Sequence, residues 1–185
     1  MANLARAIAI MTMLAALVAG CGTPKTSGGP VARTTSPAAP TSRGAADGAD
    51  ITGAVAHPQA FTMDRLHQFG SRTEQVAFDS DAGTQHHTFE GPLLVDVLGA
   101  AQPKPDAAAK NGLLRLALVA TGADGYSATL AWAEISPKFA DEPVLLAYSE
   151  DGRPLQHPCL TVPGDRAGGR YVSDVVHIRV VDPAA

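Results

Sequence analysis

The N-terminal quarter of the chain is unsuited to a folded core, and this limits where a domain can form. Residues 7–19 are an almost unbroken apolar run, AIAIMTMLAALVA, which follows Arg6. This run is too short for a helix that crosses the roughly 30 Å hydrocarbon core of a bilayer, which takes about 20 residues. A positive residue, a short apolar run and small residues are typical of a secretory signal peptide. We therefore predict that residues 1–20 are a signal peptide.

A cysteine follows directly, since the sequence LVAGC ends at Cys21. Small residues just before a cysteine at the end of a signal peptide resemble the lipobox of bacterial lipoproteins, in which lipid is attached to the thiol. Each buried methylene contributes about 0.8 kcal/mol, so several acyl chains anchor a protein stably. The alternative is an ordinary signal peptide with a chance cysteine. We predict that Cys21 is lipidated and that the protein is exported and membrane-anchored, in the periplasm or on the outer cell surface.

Residues 22–50 are rich in Gly, Pro, Ser, Thr and Ala and contain almost no large apolar side chain. Such a segment buries too little surface to offset the entropy lost on ordering. We predict a disordered tether over residues 21–50 and one folded domain over residues 51–185.

Composition and motifs exclude several classes of function. The formal net charge of −4 and the lack of a basic cluster argue against nucleic-acid binding. If Cys21 is lipidated, Cys159 has no intrachain partner. There is no CxxC, no HExxH and no GxSxG, so neither a structural zinc site nor a serine-hydrolase elbow is expected.

Short apolar strands separated by turns dominate the domain. Thr62 is suited to cap a short helix, and Leu93–Ala101 has the apolar spacing of an amphipathic helix. Apolar and polar residues alternate within residues 74–89 on either side of a turn at 79–83, which indicates a hairpin. Further strands are predicted at 51–55, 113–120, 126–131, 144–148, 160–162 and 175–181. The pattern predicts an α+β domain, mostly antiparallel β with a few short helices.

Several segments together resemble one family. They are, in order, FTMDRL at 61–66, FEGPLLVDVL at 89–98, ATGADGY at 120–126, PVLLAY at 143–148 and LTVPGD at 160–165, followed by a terminal strand. This ordered set is similar to the oxidoreductase molybdopterin-binding domain family, which has the sulfite oxidase fold. The resemblance covers nearly all of residues 51–182 and depends on the order, because no single motif is specific.

The resemblance implies a molybdenum cofactor whose metal is held by one cysteine thiolate, just after the strand that ends at Phe78. Residues 78–83, FDSDAG, contain no cysteine; Asp79 or Ser80 lies near the expected place. Thiolate is a soft ligand that neither side chain replaces. We therefore expect no catalytic residue, no bound metal and no cofactor, with bound molybdopterin as the alternative.

The resemblance also implies two basic residues in the C-terminal loop, close to the pterin phosphate. Arg170 matches the first, and Ser173 lies where the second is expected. Arg166 is in the same glycine-rich loop, and arginine is well suited to bind phosphate. The alternative is a solvated loop in which the arginines pair with nearby aspartates. With His57, which is expected to border the cofactor cleft, the predicted ligand-binding set is His57, Ser80, Arg166, Arg170 and Ser173.

Two further residue types are candidate metal ligands. Cys159 is either a relocated ligand or a small buried apolar residue. His86 and His87 are neighbours in a strand, so their side chains point to opposite faces and do not line one site.

Three functions are compatible with these features. The first is a non-catalytic module that binds a protein partner or a small anionic ligand. The second is a molybdopterin-dependent oxidoreductase that acts outside the cytoplasm, and the third is an accessory subunit of a membrane redox system. The missing thiolate favours the first.

Replacing Cys21 by alanine tests the lipid anchor. We expect Cys21→Ala to leave the acylated membrane fraction, because no thiol remains for lipid attachment. The measurement is flotation of membranes from cells that express either form, with mass spectrometry of the mature N-terminus. Unchanged flotation of the variant together with an unmodified Cys21 in the parent would contradict the lipoprotein prediction.

Overall fold

The computed structural model describes residues 47–184, so the predicted signal peptide, Cys21 and most of the predicted tether lie outside the described residues. The first strand, β1, begins at Gly48, and the last residues assigned to the tether, 48–50, therefore belong to the domain. A Cβ on Gly48 would lie 2.2 Å from the carbonyl oxygen of Phe61, so the close pairing of the next strand requires glycine there. No helix in the described part is long and apolar enough to cross a membrane.

The described residues form nine strands and three short α-helices. Two 3₁₀ turns, Gly112–Arg115 and Gly168–Arg170, interrupt the connections. The strands are β1 Gly48–Gly53, β2 Gln59–Thr62, β3 Ser71–Ser80, β4 Gly83–Pro92, β5 Ala117–Gly122, β6 Ser127–Ala131, β7 Leu145–Glu150, β8 Arg153–Thr161 and β9 Val175–Val181; the helices are α1 Met63–Leu66, α2 Leu94–Ala101 and α3 Trp132–Ile135.

The strands form two sheets. One has the order β2-β1-β9-β5-β6 and the other the order β3-β4-β7-β8. Among the strand pairs only β1 and β9 are parallel, which joins the start of the domain to its end. The predicted α+β class, mostly antiparallel with few short helices, is confirmed.

Strand β7 of the four-stranded sheet is covered by apolar residues on both faces. Along β7, Leu146 and Tyr148 belong to the large core that also contains side chains of the five-stranded sheet. Their neighbours Leu145 and Ala147 belong to a smaller cluster. Because side chains alternate along a strand, the two clusters lie on opposite faces of this sheet.

Predictions that depended on a helix cap or on turn residues were confirmed. Thr62 Oγ1 accepts a hydrogen bond from the Arg65 amide at 3.3 Å and caps α1. The hairpin is longer than predicted, β3 and β4 pairing over their full length. The strand predicted from residue 113 begins only at Ala117, because Leu113 and Leu114 lie in a 3₁₀ turn and are exposed.

Two glycines allow a matched test of this packing. A Cβ on Gly91 would lie 2.6 Å from Ala147 Cα and 2.7 Å from Leu146 O, whereas one on Gly99 in α2 meets nothing within 4 Å. We expect Gly91→Ala to lower the free energy of unfolding by about 1–3 kcal/mol through overpacking. We expect Gly99→Ala to raise it by roughly 0.5–1 kcal/mol. Urea unfolding measures both, and equal effects would contradict the close packing of β4 on β7.

Candidate functional site

The loop between β8 and β9 is fixed against the end of β3. The amide of Asp79 donates to Arg166 O at 2.8 Å, and the ring of Tyr171 packs on Phe78 with centroids 4.4 Å apart. A Cβ on Gly168 would lie 2.8 Å from the Phe78 ring, so glycine permits this approach. The loop thus places Arg166, Arg170 and Ser173 in the same region as the β3 end that carries Ser80.

Arg170 is held by two carboxylates. Its Nε and Nη2 donate to Asp165 Oδ2 and Oδ1 at 2.8 and 2.6 Å, and its Nη1 donates to Glu134 of α3. The hydrogen bonds that Arg170 donates to Asp165 are the first cause of its raised pKa, and the one that it donates to Glu134 adds to it. Arginine binds phosphate through the same pair of N–H donors that Arg170 directs here at Asp165. The guanidinium is therefore engaged within the chain.

The cavity beside Arg170 is acidic. It has a volume of about 160 Å³, and Glu134, Glu142 and Asp165 line it together with Arg170. Three carboxylates against one guanidinium give a negative potential, which disfavours an anionic ligand at this cavity.

The other predicted ligand-binding residues are exposed and differ in location. Ser80 Oγ donates to Gly83 O at 3.0 Å inside the β3–β4 turn. Arg166 and Ser173 are exposed on the loop, where Ser173 also contacts the Cys159 thiol. His57 lies apart from them, since its amide donates to Ala101 O at the end of α2. The structure therefore places Arg166, Arg170 and Ser173 on one loop, links that loop to the end of β3 next to Ser80 through Arg166, and places His57 elsewhere.

Cys159 is the one cysteine among residues 47–184, and it is buried. It packs in the smaller cluster with Val76, Phe89, Leu145 and Ala147. Burial raises the pKa of its thiol to about 12, and the negative charges of Glu150 and Asp174 also raise it. The folded protein therefore holds this sulfur as a neutral thiol at neutral pH.

One buried hydroxyl oxygen near this thiol, Tyr171 Oη, has no hydrogen-bond partner among the described residues. The hydroxyl of Thr161, whose side chain is fully buried, lies within hydrogen-bonding reach of the Cys159 thiol. Burial also raises the pKa of Tyr171 to about 12, so its phenol remains a proton donor. Buried polar atoms usually find a partner, so the Tyr171 hydroxyl is available to a ligand or water.

These residues do not fit a molybdenum centre held by a thiolate. The β3–β4 turn, where the resemblance implies the cysteine, consists of Asp81 and Ala82 between paired strands. Cys159 offers a neutral, buried thiol, and the cavity beside Arg170 is acidic. The described region provides no soft anionic donor, and the guanidinium of Arg170 is engaged by Asp165 and Glu134.

One cluster was missed from the sequence. His87 Nδ1 lies 3.0 Å from Glu150 Oε1 and 3.0 Å from Asp151 Oδ2, and the three ligand atoms lie within 4.8 Å of one another. Hydrogen bonds from the Thr88 amide and then from His87 lower the pKa of Asp151. These three residue types can bind a metal cation. The pairing of His87 with both carboxylates already explains why the three side chains lie together. His86 is exposed, as expected for a side chain that points to the opposite face of the strand from His87.

Comparison with known proteins gives one family and one fold. The model of the oxidoreductase molybdopterin binding domain matches residues 48–182. The sulfane dehydrogenase SoxCD from Paracoccus pantotrophus is similar in structure, with a TM-score of 0.59 and 21% identity over 72% of this chain. This chain covers 38% of that one, so it spans well under half of its length. No curated protein sequence matches.

The family match corrects one prediction. The expectation that the domain binds no cofactor is wrong, because the matching family is defined by molybdopterin binding and the match covers the whole described domain. That expectation was drawn from a single missing cysteine. The similarity to SoxCD confirms the predicted sulfite-oxidase-like fold.

The burial of Cys159 gives a direct chemical prediction. With a pKa near 12 in place of the ordinary 9.0, the folded thiol forms about a thousandfold less thiolate at pH 8 than the unfolded one. We expect alkylation by iodoacetamide to be slower by at least that factor in the folded protein than in urea. Mass spectrometry over time measures both rates, and comparable rates would show an accessible, reactive thiol.

Proposed function

Because the chain belongs to the oxidoreductase molybdopterin binding domain family, we propose that it is an exported, lipid-anchored member of that family that acts as a binding module rather than as a catalyst. In this proposal the lipid on Cys21 holds the domain on the membrane outside the cytoplasm. The domain then binds a small ligand or a protein partner there. Activity belongs to the site and not to the fold, so family membership alone does not supply turnover.

The observation that carries the proposal is the lack of a thiolate at the site. The β3–β4 turn is closed by strand pairing up to Ser80 and Gly83, which leaves no loop for a metal ligand. The thiol of Cys159 is protonated and enclosed by apolar side chains. A metal that changes oxidation state needs a donor set that holds it in place, and the described residues lack the soft donor of that set.

The unpaired hydroxyl of Tyr171 supports a binding role. Its oxygen is buried without a partner and lies near Cys159, on the β8–β9 loop. A ligand whose polar atom reaches it would recover the free energy that unpaired burial costs, on the order of 1–3 kcal/mol.

A second candidate function is a molybdopterin-dependent oxidoreductase that recruits Cys159 as its metal ligand. The hydroxyls of Thr161 and Tyr171 favour it, because they lie near the only thiol among the described residues. Binding of a metal would then have to displace the thiol proton and open the apolar cluster around the sulfur.

Turnover of the full chain distinguishes the two functions. The protein is produced beside active molybdenum cofactor synthesis, purified from membranes and assayed with a dye acceptor, using sulfite and a sulfane-sulfur compound as electron donors. We expect no turnover, and we expect the same result from Cys159→Ser and Cys159→Ala. Turnover in the parent chain that both variants abolish, with unchanged urea midpoints, would overturn the binding module and establish the oxidoreductase.

A further inference from the structure

Exposed apolar side chains concentrate on one part of the surface. Among the described residues, four large hydrophobic side chains are exposed: Leu113 and Leu114 at 38%, Phe139 at 52% and Tyr126 at 49%. The first three line one open groove of about 330 Å³, whose walls also include Pro105, Ala107 and Ala109. Tyr126 lies beyond the other end of β5 and donates its hydroxyl to Gly169 O.

Every lysine of the described part either lines this groove or directly precedes one of its wall residues in the sequence. Lys138 lines it, Lys110 immediately precedes its wall residues Asn111 and Gly112, and Lys104 immediately precedes Pro105; all three are exposed. We call the six side chains the lysine patch: Lys104, Lys110, Leu113, Leu114, Lys138 and Phe139. Asp106 is the one acidic residue in the groove, and it pairs with Arg115 at 3.4 Å.

The rest of the domain has the opposite charge. All 18 Asp and Glu residues of the chain lie within residues 47–184, where only ten Lys and Arg residues are found. An acidic body with one lysine-rich, apolar face orients in the field of an anionic surface, because the surface attracts that face and repels the others. Exposed leucine and phenylalanine among lysines are the composition of a face that lies in a lipid interface.

We propose that the lysine patch is the face through which the domain docks on an anionic phospholipid surface. The inference rests on the proposed lipid anchor, which brings the domain to a membrane, and it adds the orientation that the anchor does not determine. Between Cys21 and Gly48 the chain has 26 residues, a length that spans at most roughly 90 Å when extended. The anchor therefore permits contact between the patch and the surface.

Each part of the patch has a physical role in this docking. Lysine stems lie along apolar surface while the ammonium groups remain at the headgroups. Each lysine close to an anionic membrane strengthens association by about fivefold. The side chains of Leu113, Leu114 and Phe139 then leave water for the boundary between headgroups and acyl chains, and Phe139, the most exposed, is expected to reach deepest.

Depth measurements on the lipidated full chain test the proposal. The mature protein is reconstituted into vesicles of phosphatidylglycerol and phosphatidylcholine in equal parts, or of phosphatidylcholine alone. A nitroxide is attached at Phe139→Cys or, as the matched exposed aromatic, at Tyr126→Cys, both with Cys159→Ala. Collisions with oxygen, which partitions into bilayers, and with a water-soluble nickel chelate are compared by electron paramagnetic resonance.

We expect the label at position 139 to gain contact with oxygen and to lose contact with nickel several-fold on the phosphatidylglycerol vesicles. The label at position 126 is expected to stay in water. Replacing Lys104, Lys110 and Lys138 by glutamate is expected to abolish the shift at position 139. The control replaces three arginines outside the patch, Arg72, Arg153 and Arg179, by glutamate, which changes the net charge equally and is expected to preserve the shift.

The other outcomes separate the possible failures. A chain that does not float with the vesicles overturns the anchor and this inference with it. A chain that floats while the label at position 139 remains in water overturns the docking face alone. Dipolar broadening between labels at position 139 without vesicles means that a second copy covers the patch, and it also overturns the inference. Equal loss of the shift in both glutamate variants shows a general charge effect and overturns the role of the patch.

Discussion

The inner segments of β7 and β8 are covered on both faces, and most of the site follows from this. Residues 145–148 of β7 and 158–161 of β8 are buried in succession, because the large core lies against one face and the smaller cluster against the other. At these positions neither face meets water, so a polar or reactive side chain there is desolvated. Cys159 and Thr161 point to the face of the smaller cluster, and this determines their chemistry.

The β8–β9 loop completes that environment. Its Val172 pairs with Leu160 through two backbone hydrogen bonds, and its Tyr171 packs on Phe78. This arrangement keeps the thiol neutral and buries the Tyr171 hydroxyl without a hydrogen-bond partner. Arg170, fixed by Asp165 and Glu134, stabilises the loop instead of offering a free positive charge. The same contacts that make the loop rigid therefore oppose the anion site that the sequence suggested.

The fold could largely be predicted from local signals and an ordered resemblance. The Thr62 cap, the β3–β4 hairpin and the amphipathic α2 are encoded by neighbouring residues, and the family match agrees with the resemblance. The partners of the site residues could not be predicted, since Arg170 and Glu134 are 36 residues apart and His87 and Asp151 are 64 apart. Leu113 and Leu114 have strand-like apolarity but lie exposed in a turn, a placement that only tertiary packing determines. The prediction that no cofactor is bound failed for a different reason, because one absent ligand does not define what a whole family domain binds.

The central claim is that the folded domain presents no thiolate to a metal. X-ray absorption at the molybdenum edge, on protein purified from its native source together with total metal and pterin content, tests this most directly. The account predicts that any molybdenum present has no cysteine-sulfur ligand and that its spectrum is unchanged in Cys159→Ser. A molybdenum–sulfur distance that disappears in Cys159→Ser, with the metal lost from the variant, would contradict the account.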